Sequence, residues 1–123
     1  MNVVDSSGWL AYFSGDKNAN QFASIIQSTG TLVVPTICMY EVFKRVLAQR
    51  GEEAALQTAG IMSLGGRADL TQEIAINAAL ISTTHKLAMA DSIILATARA
   101  NKATLWTQDA DFEGIDGVKY ISE

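Results

Sequence analysis

Five acids stand out by their surroundings. Asp5 closes a β-branched run, "NVVD". Glu41 lies in "PTICMYEVFKRV". Asp91 stands near the front of "AMADSIILATARA", which is otherwise almost wholly apolar or small. Asp109 and Asp111 follow "ATLWTQ". Carboxylates brought together repel strongly, so either their pKa values rise or a cation sits among them. A site made of oxygens alone suits Mg²⁺ or Mn²⁺. Zinc takes His or Cys, and the chain has one of each, His85 and Cys38, which argues against a zinc site.

Each acid also has a plainer role open to it. Asp5, before Ser6 and Ser7, fits a turn or cap residue. Glu41 precedes Arg45 by four residues and fits a surface ion pair worth about a few tenths of a kcal/mol. Asp91 fits a helix cap or a charge at the dipole's positive end. Asp109 and Asp111 fit an Asx-type turn. Asp91 resists its plain role best. On a helix it shares a stripe with Ile94, Leu95 and Ala98, with no Lys or Arg at neighbouring stripe positions. Acids so placed are seldom fully buried unless they are paired or bind a metal. The nearest cation in the chain, Lys86, precedes the helix, and His85 beside it reads as a surface or interface residue.

The elements that must position these acids follow from pattern. Asn2–Val4 reads as a strand, "SSGWLAYFSG" as a short helix and "NANQFASIIQSTG" as a helix stopping at Gly30. "TLVVP" is a second strand closed by Pro35. From Thr36 a helix with one apolar face runs to Gly51, and "EEAALQTAGIMSLGG" forms another, ended by Gly65-Gly66. "ADL" reads as a short strand, "TQEIAINAALIST" as a helix and the Asp91 segment as a helix buried nearly all round. "ATLWT" and "VKYI" are the last strands. Strands alternating with helices, without hairpin signals, define an α/β fold layered on a mostly parallel sheet. In such a sheet ligands bind at the carboxyl ends of the strands, which is where the acids fall.

The remaining bounds are broad. At 123 residues, 49% hydrophobic and 18% charged, the chain is expected to form one globular domain over 1–123 with a real core. No signal-peptide pattern or membrane-length apolar run appears, and the single Cys fits a reducing compartment, so a cytoplasmic location without membrane contact is expected. The formal charge of -4 argues against a general basic grip on nucleic acid.

Taken in order, "NVVDSSGWLAYF", "PTICMYEVFKRV", "LAMADSIILATA" and "LWTQDADF" resemble the PIN-domain family, most nearly the VapC-type toxins of prokaryotic toxin–antitoxin pairs. The resemblance spans nearly the whole chain. It implies a PIN-like three-layer α/β/α fold and an acidic site for one or two Mg²⁺ or Mn²⁺ ions. It also implies endoribonuclease activity on single-stranded or structured RNA, a homodimer, and an antitoxin that holds the toxin inactive. The family's acidic positions match Asp5, Glu41, Asp91 and Asp109, its hydroxyls match Ser6 (with Ser7 next) and Thr107, and Asp111 matches a further acid of less defined role.

The chemistry agrees with that resemblance. Phosphodiester hydrolysis needs an activated water and stabilisation of growing charge on phosphate, and carboxylate-held divalent ions supply both. On this reading Asp5 and Asp91 are direct ligands. Glu41 and Asp109 complete the ligand set or hold waters, while Ser6, Thr107 and Asp111 support them from behind. Two divalent cations would also offset the formal -4. Lys44, Arg45, Arg50, Arg99 and Lys102 are candidate phosphate contacts, though solvated surface explains each singly. Trp9, Tyr12 and Phe13 fit core or interface better than base stacking.

Rival readings fare worse. A haloacid-dehalogenase-like phosphatase needs a second Asp where Ser7 stands. A response-regulator receiver needs a Lys after a late strand, and "ATLWTQD" has none. A catalytically silent PIN-like module that binds RNA or protein is the alternative from another class, and metal-dependent cleavage separates it from the enzyme.

Overall fold

A computed structural model describes residues 1–123. Five strands, β1 (Asn2–Val4), β2 (Leu32–Pro35), β3 (Gly66–Ala68), β4 (Thr104–Thr107) and β5 (Val118–Tyr120), form one sheet in the order β3-β2-β1-β4-β5. Every pairing is parallel. Six helices flank it: α1 (Ser6–Ser14), α2 (Ala19–Gln27), α3 (Thr36–Arg50), α4 (Glu52–Met62), α5 (Gln72–His85) and α6 (Met89–Ala100). The architecture is the expected PIN-like three-layer α/β/α fold.

The central strands are short and apolar because both faces of the sheet are covered. Val3, Val4, Leu32, Val33, Val34 and Leu105 are all buried in one core of 25 residues. Strand order reverses at β1: the chain first builds outward through β2 and β3, then returns to β4 and β5. The crevice beyond the carboxyl ends of β1 and β4 is therefore a topological switch point, the place where open α/β sheets bind ligands.

α1 begins immediately after β1 because Asp5 caps it, its side chain accepting the Gly8 N–H. That tight start requires Gly8. A Cβ there would lie 2.6 Å from Val4 Cγ1 and 2.8 Å from Phe22 Cε1. At the other end of α1, Gly15 takes the left-handed conformation that closes the helix.

Three boundaries and one burial pattern differ from the sequence reading. α2 ends at Gln27, before the expected stop at Gly30, because Thr29–Thr31 form a 3-10 turn. α4 stops at Met62, and Ser63–Gly65 form the turn expected to be helix. β3 is Gly66–Ala68 rather than "ADL", because Gly66, Arg67 and Ala68 pair with Val33, Val34 and Pro35. Gly65 leads into that pairing past β2, where a Cβ would sit 2.8 Å from Val34 Cγ2, so the close approach of the two backbones requires glycine. α6 is buried through Ser92 and Ile94–Ala98, but Met89, Arg99 and Ala100 at its ends are exposed. No helix is long and apolar enough to cross a membrane.

Candidate active site

The switch-point crevice is an open cleft of about 490 Å³ lined by Asp5, Glu41, Asp91 and Asp109, with Lys44 and Arg45 on its wall. Four elements thus deliver the four acids to one place. Asp5 comes from the β1–α1 junction, Glu41 from α3, Asp91 from the first turn of α6 and Asp109 from the segment after β4.

Asp5 is buried and held by three donors. Its Oδ1 accepts the Ser7 hydroxyl at 2.7 Å and the Gly8 N–H at 3.0 Å, and its Oδ2 accepts the Thr107 hydroxyl at 2.7 Å. Burial overrides those bonds and, with a smaller push from Asp109, raises its pKa from 3.8 to about 6. The Thr107 oxygen also accepts the Asp109 N–H at 2.9 Å, so one hydroxyl couples two of the acids. With both hydroxyl protons directed at Asp5, the 3.3 Å approach of Ser7 and Thr107 is a packing contact.

Ser6 and Ser7 divide the work expected of the first hydroxyl. Ser6 turns away from Asp5 and donates to Glu41 Oε1 at 2.6 Å. Glu41 forms no ion pair with Arg45, since the only ion pair in the chain is Arg67–Asp69. Asp91 does not cap α6. The cap position is Ala88, and Asp91 lies three residues in, half-buried. Its pKa rises from 3.8 to about 7, first by burial and then by repulsion from Asp109, Asp5, Glu41 and Asp111. Asp109 does make an Asx-type turn, accepting the Asp111 N–H at 2.9 Å.

Carboxylate oxygens of Asp91, Asp109 and Asp111 lie within 4.8 Å of one another. Asp111, expected behind the ligands, thus reaches ligand spacing, while Asp5 and Glu41 line the same cleft outside that trio. The donor set fits a hard divalent cation: all oxygen, densely negative and unpaired with any Lys or Arg. Cys38 is buried next to this group. Burial and the charges of Asp5, Glu41 and Asp91 hold its thiol well above its ordinary pKa, so it stays protonated and offers no thiolate to a metal. His85 is exposed on the α5–α6 side, away from the cleft, as its lack of partners implied.

Two supports had little or no sequence signal. Ser7 carries the hydrogen bond to Asp5, accepts the Gln108 N–H at 3.2 Å, and was visible only as the second of two serines. Asn18, buried in the α1–α2 connection, donates to Gln108 Oε1 at 3.1 Å and to the Ser122 carbonyl at 3.0 Å, tying the strand that delivers Asp109 to the C-terminal residues.

A doubly wound parallel sheet with a carboxylate-lined switch point is the frame of this fold, and the chain belongs to the PIN domain family, whose sequence model matches residues 3–118. Among solved structures it is similar to a VapC toxin and to toxin–antitoxin complexes. A toxin–antitoxin complex from Klebsiella pneumoniae superposes with TM-score 0.82 at 26% identity, covering 98% of this chain and 100% of that one. VapC20 of Mycobacterium tuberculosis, described as a sarcin–ricin loop cleaving toxin, gives 0.77 at 17% identity, covering 100% and 98%. DNA-bound VapBC from Salmonella typhimurium gives 0.75 at 16%, covering 99% and 98%. No curated protein sequence matches the chain.

Proposed function

We propose that the protein is a divalent-metal-dependent endoribonuclease, the toxin of a type II toxin–antitoxin pair. The observation that carries this reading is the unpaired acidic cleft: Asp5 clamped by three donors, with Glu41, Asp91 and Asp109 around it and no cation bonded to any of them. Family membership and the toxin folds of its neighbours support it.

Mg²⁺ or Mn²⁺, as one ion or two, would be held by Asp5, Glu41, Asp91 and Asp109, with Asp111 close enough to join Asp91 and Asp109. Such an ion, when bound, supplies Lewis-acid stabilisation of the phosphate and lowers the pKa of water. The chain supplies the rest. Ser7, Thr107 and the Gly8 N–H fix both oxygens of Asp5, and Ser6 fixes one oxygen of Glu41, so the carboxylates are aimed before substrate arrives. Lys44 and Arg45 on the cleft wall place positive charge where phosphate oxygens would lie.

The whole of 1–123 would act as one PIN-like domain, as a homodimer and in the cytoplasm. An antitoxin would silence it by occupying the acidic cleft.

The test is cleavage of labelled structured RNA by purified protein with Mn²⁺ or Mg²⁺ and with EDTA, beside Asp5→Asn prepared identically. Discrete cuts that need metal and vanish in the variant establish the reading. Equal cutting by both proteins, or none by either across several structured RNAs, rejects it.

A further inference from the structure

A second groove, of about 450 Å³, adjoins the acidic cleft and shares Ser7, Leu10 and Arg45 with it. It runs between α1 and α3, and Arg50 and Gln49 on α3 face Gln108 across it. Its one carboxylate is Asp16. Neither arginine is engaged by an acid, because Arg67–Asp69 is the only ion pair in the chain. Arg50 makes a single long contact, from Nη1 to the Phe13 carbonyl at 3.5 Å, which steadies the guanidinium at the groove's edge and leaves most of its N–H donors free.

The distribution of positive charge gives this groove its meaning. The chain has nine Lys and Arg against thirteen Asp and Glu, so cations are scarce. Three of them, Lys44, Arg45 and Arg50, fall on α3 along the two joined clefts. Arg45 forms no ion pair with Glu41, its expected partner, whose Oε1 instead accepts the Ser6 hydroxyl. Two unpaired guanidiniums beside an acidic cleft suit a polyanion that must cross the cleft and continue past it.

We propose that the α1–α3 groove is the subsite for nucleotides flanking the cleaved bond. Single-stranded RNA lies in it with Arg45 and Arg50 on its phosphates, while Gln49 and Gln108 offer amide groups to sugar or base edges. This rests on the ribonuclease reading, to which it adds the strand's path.

The test is fluorescence anisotropy with a short, labelled single-stranded RNA of mixed sequence. Asp5→Asn serves as the parent, so that cleavage is blocked, and Mg²⁺ is present over a range of salt. Arg50→Gln should weaken binding about 5- to 10-fold and lower the salt slope by roughly 0.7, the value for one phosphate contact on a single strand. The Arg45→Gln/Arg50→Gln pair should lower it by about 1.4. Lys119→Gln, at the exposed residue of β5, should change neither quantity. Melting curves matched to the parent show that the variants are folded. Binding and slope unchanged in Arg50→Gln overturn the groove, even where the otherwise wild-type chain cuts RNA with metal. A parent that binds with the expected slopes, beside a wild-type chain that never cuts, keeps the groove as an RNA surface and rejects the ribonuclease.

Discussion

Asp5 shows how one residue serves fold and chemistry together. It caps α1, as its plain reading had it, and the same carboxylate forms the floor of the cleft. The hydroxyls that fix it are the sensitive points. Ser7→Ala should leave the protein folded and reduce metal-dependent cleavage by about 10-fold or more, as loss of outer support typically does at metal sites; initial rates across a Mn²⁺ titration check this. Asp91 gives the clearest stability signature. Its pKa is raised to about 7 and that of Asp5 to about 6, so the metal-free folded state holds protons that the unfolded chain releases near 3.8. Their stabilising contribution is therefore complete below about pH 4 and is lost as pH rises through 6 and 7. In EDTA, Tm should fall between pH 5 and pH 8 in the wild type and fall less in Asp91→Asn. At pH 8 the variant should be the more stable by about 1 kcal/mol, or roughly 4 °C, a figure kept small because half-exposure screens the repulsion. Calorimetry at the two pH values checks the sign. A variant less stable at both would mean that Asp91 supports its helix.

At the scale of elements, the site depends on how sharply β1 turns into α1. Gly8 is where the helix meets Val4 and Phe22, with no room for a methyl group. Gly8→Ala should destabilise by about 1–3 kcal/mol through overpacking. It should also lower activity beyond what the stability loss explains, since the Gly8 N–H is one of the three donors on Asp5; chemical denaturation beside cleavage rates separates the two effects. The strands and helices themselves were largely legible. β1, β2 and β4 are short β-branched or apolar runs with clear stops, and α3 ends at Gly51 as its glycine implied. β3 was displaced because its register comes from pairing with Val33–Pro35, which its own three residues do not advertise. The end of α4 was overrun for a related reason: Ser63 and Leu64 carry no stop signal before Gly65-Gly66, but the chain turns at Ser63 to bring β3 alongside β2.

For the whole molecule, the net charge of -4 and the crowded acids make the metal-free state uneasy. Divalent ions that bind only the folded form add RT ln(1 + [L]/Kd), about 2.7 kcal/mol at a hundredfold excess over Kd. Mn²⁺ should therefore raise Tm at pH 7.5 by roughly 10 °C at such an excess, and the gain should shrink at pH 5, where protons compete for Asp5 and Asp91. A thermal-shift titration at both pH values decides it, and equal gains would place the ions elsewhere.

The residue types, their order and their position after apolar runs determined the fold class and named the cleft's acids, because each acid sits at or within two turns of a local signal: a strand end, a helix start or a turn. Which hydroxyl serves which carboxylate was decided only by tertiary structure. Thr107 meets Asp5 across a hundred residues of chain, Ser6 reaches Glu41 and leaves Asp5 to Ser7, and Asp111 comes up beside Asp91. The Asp5–Thr107 contact arises because β1 and β4 run side by side in parallel and end together at the switch point, and no local window of sequence contains both strands.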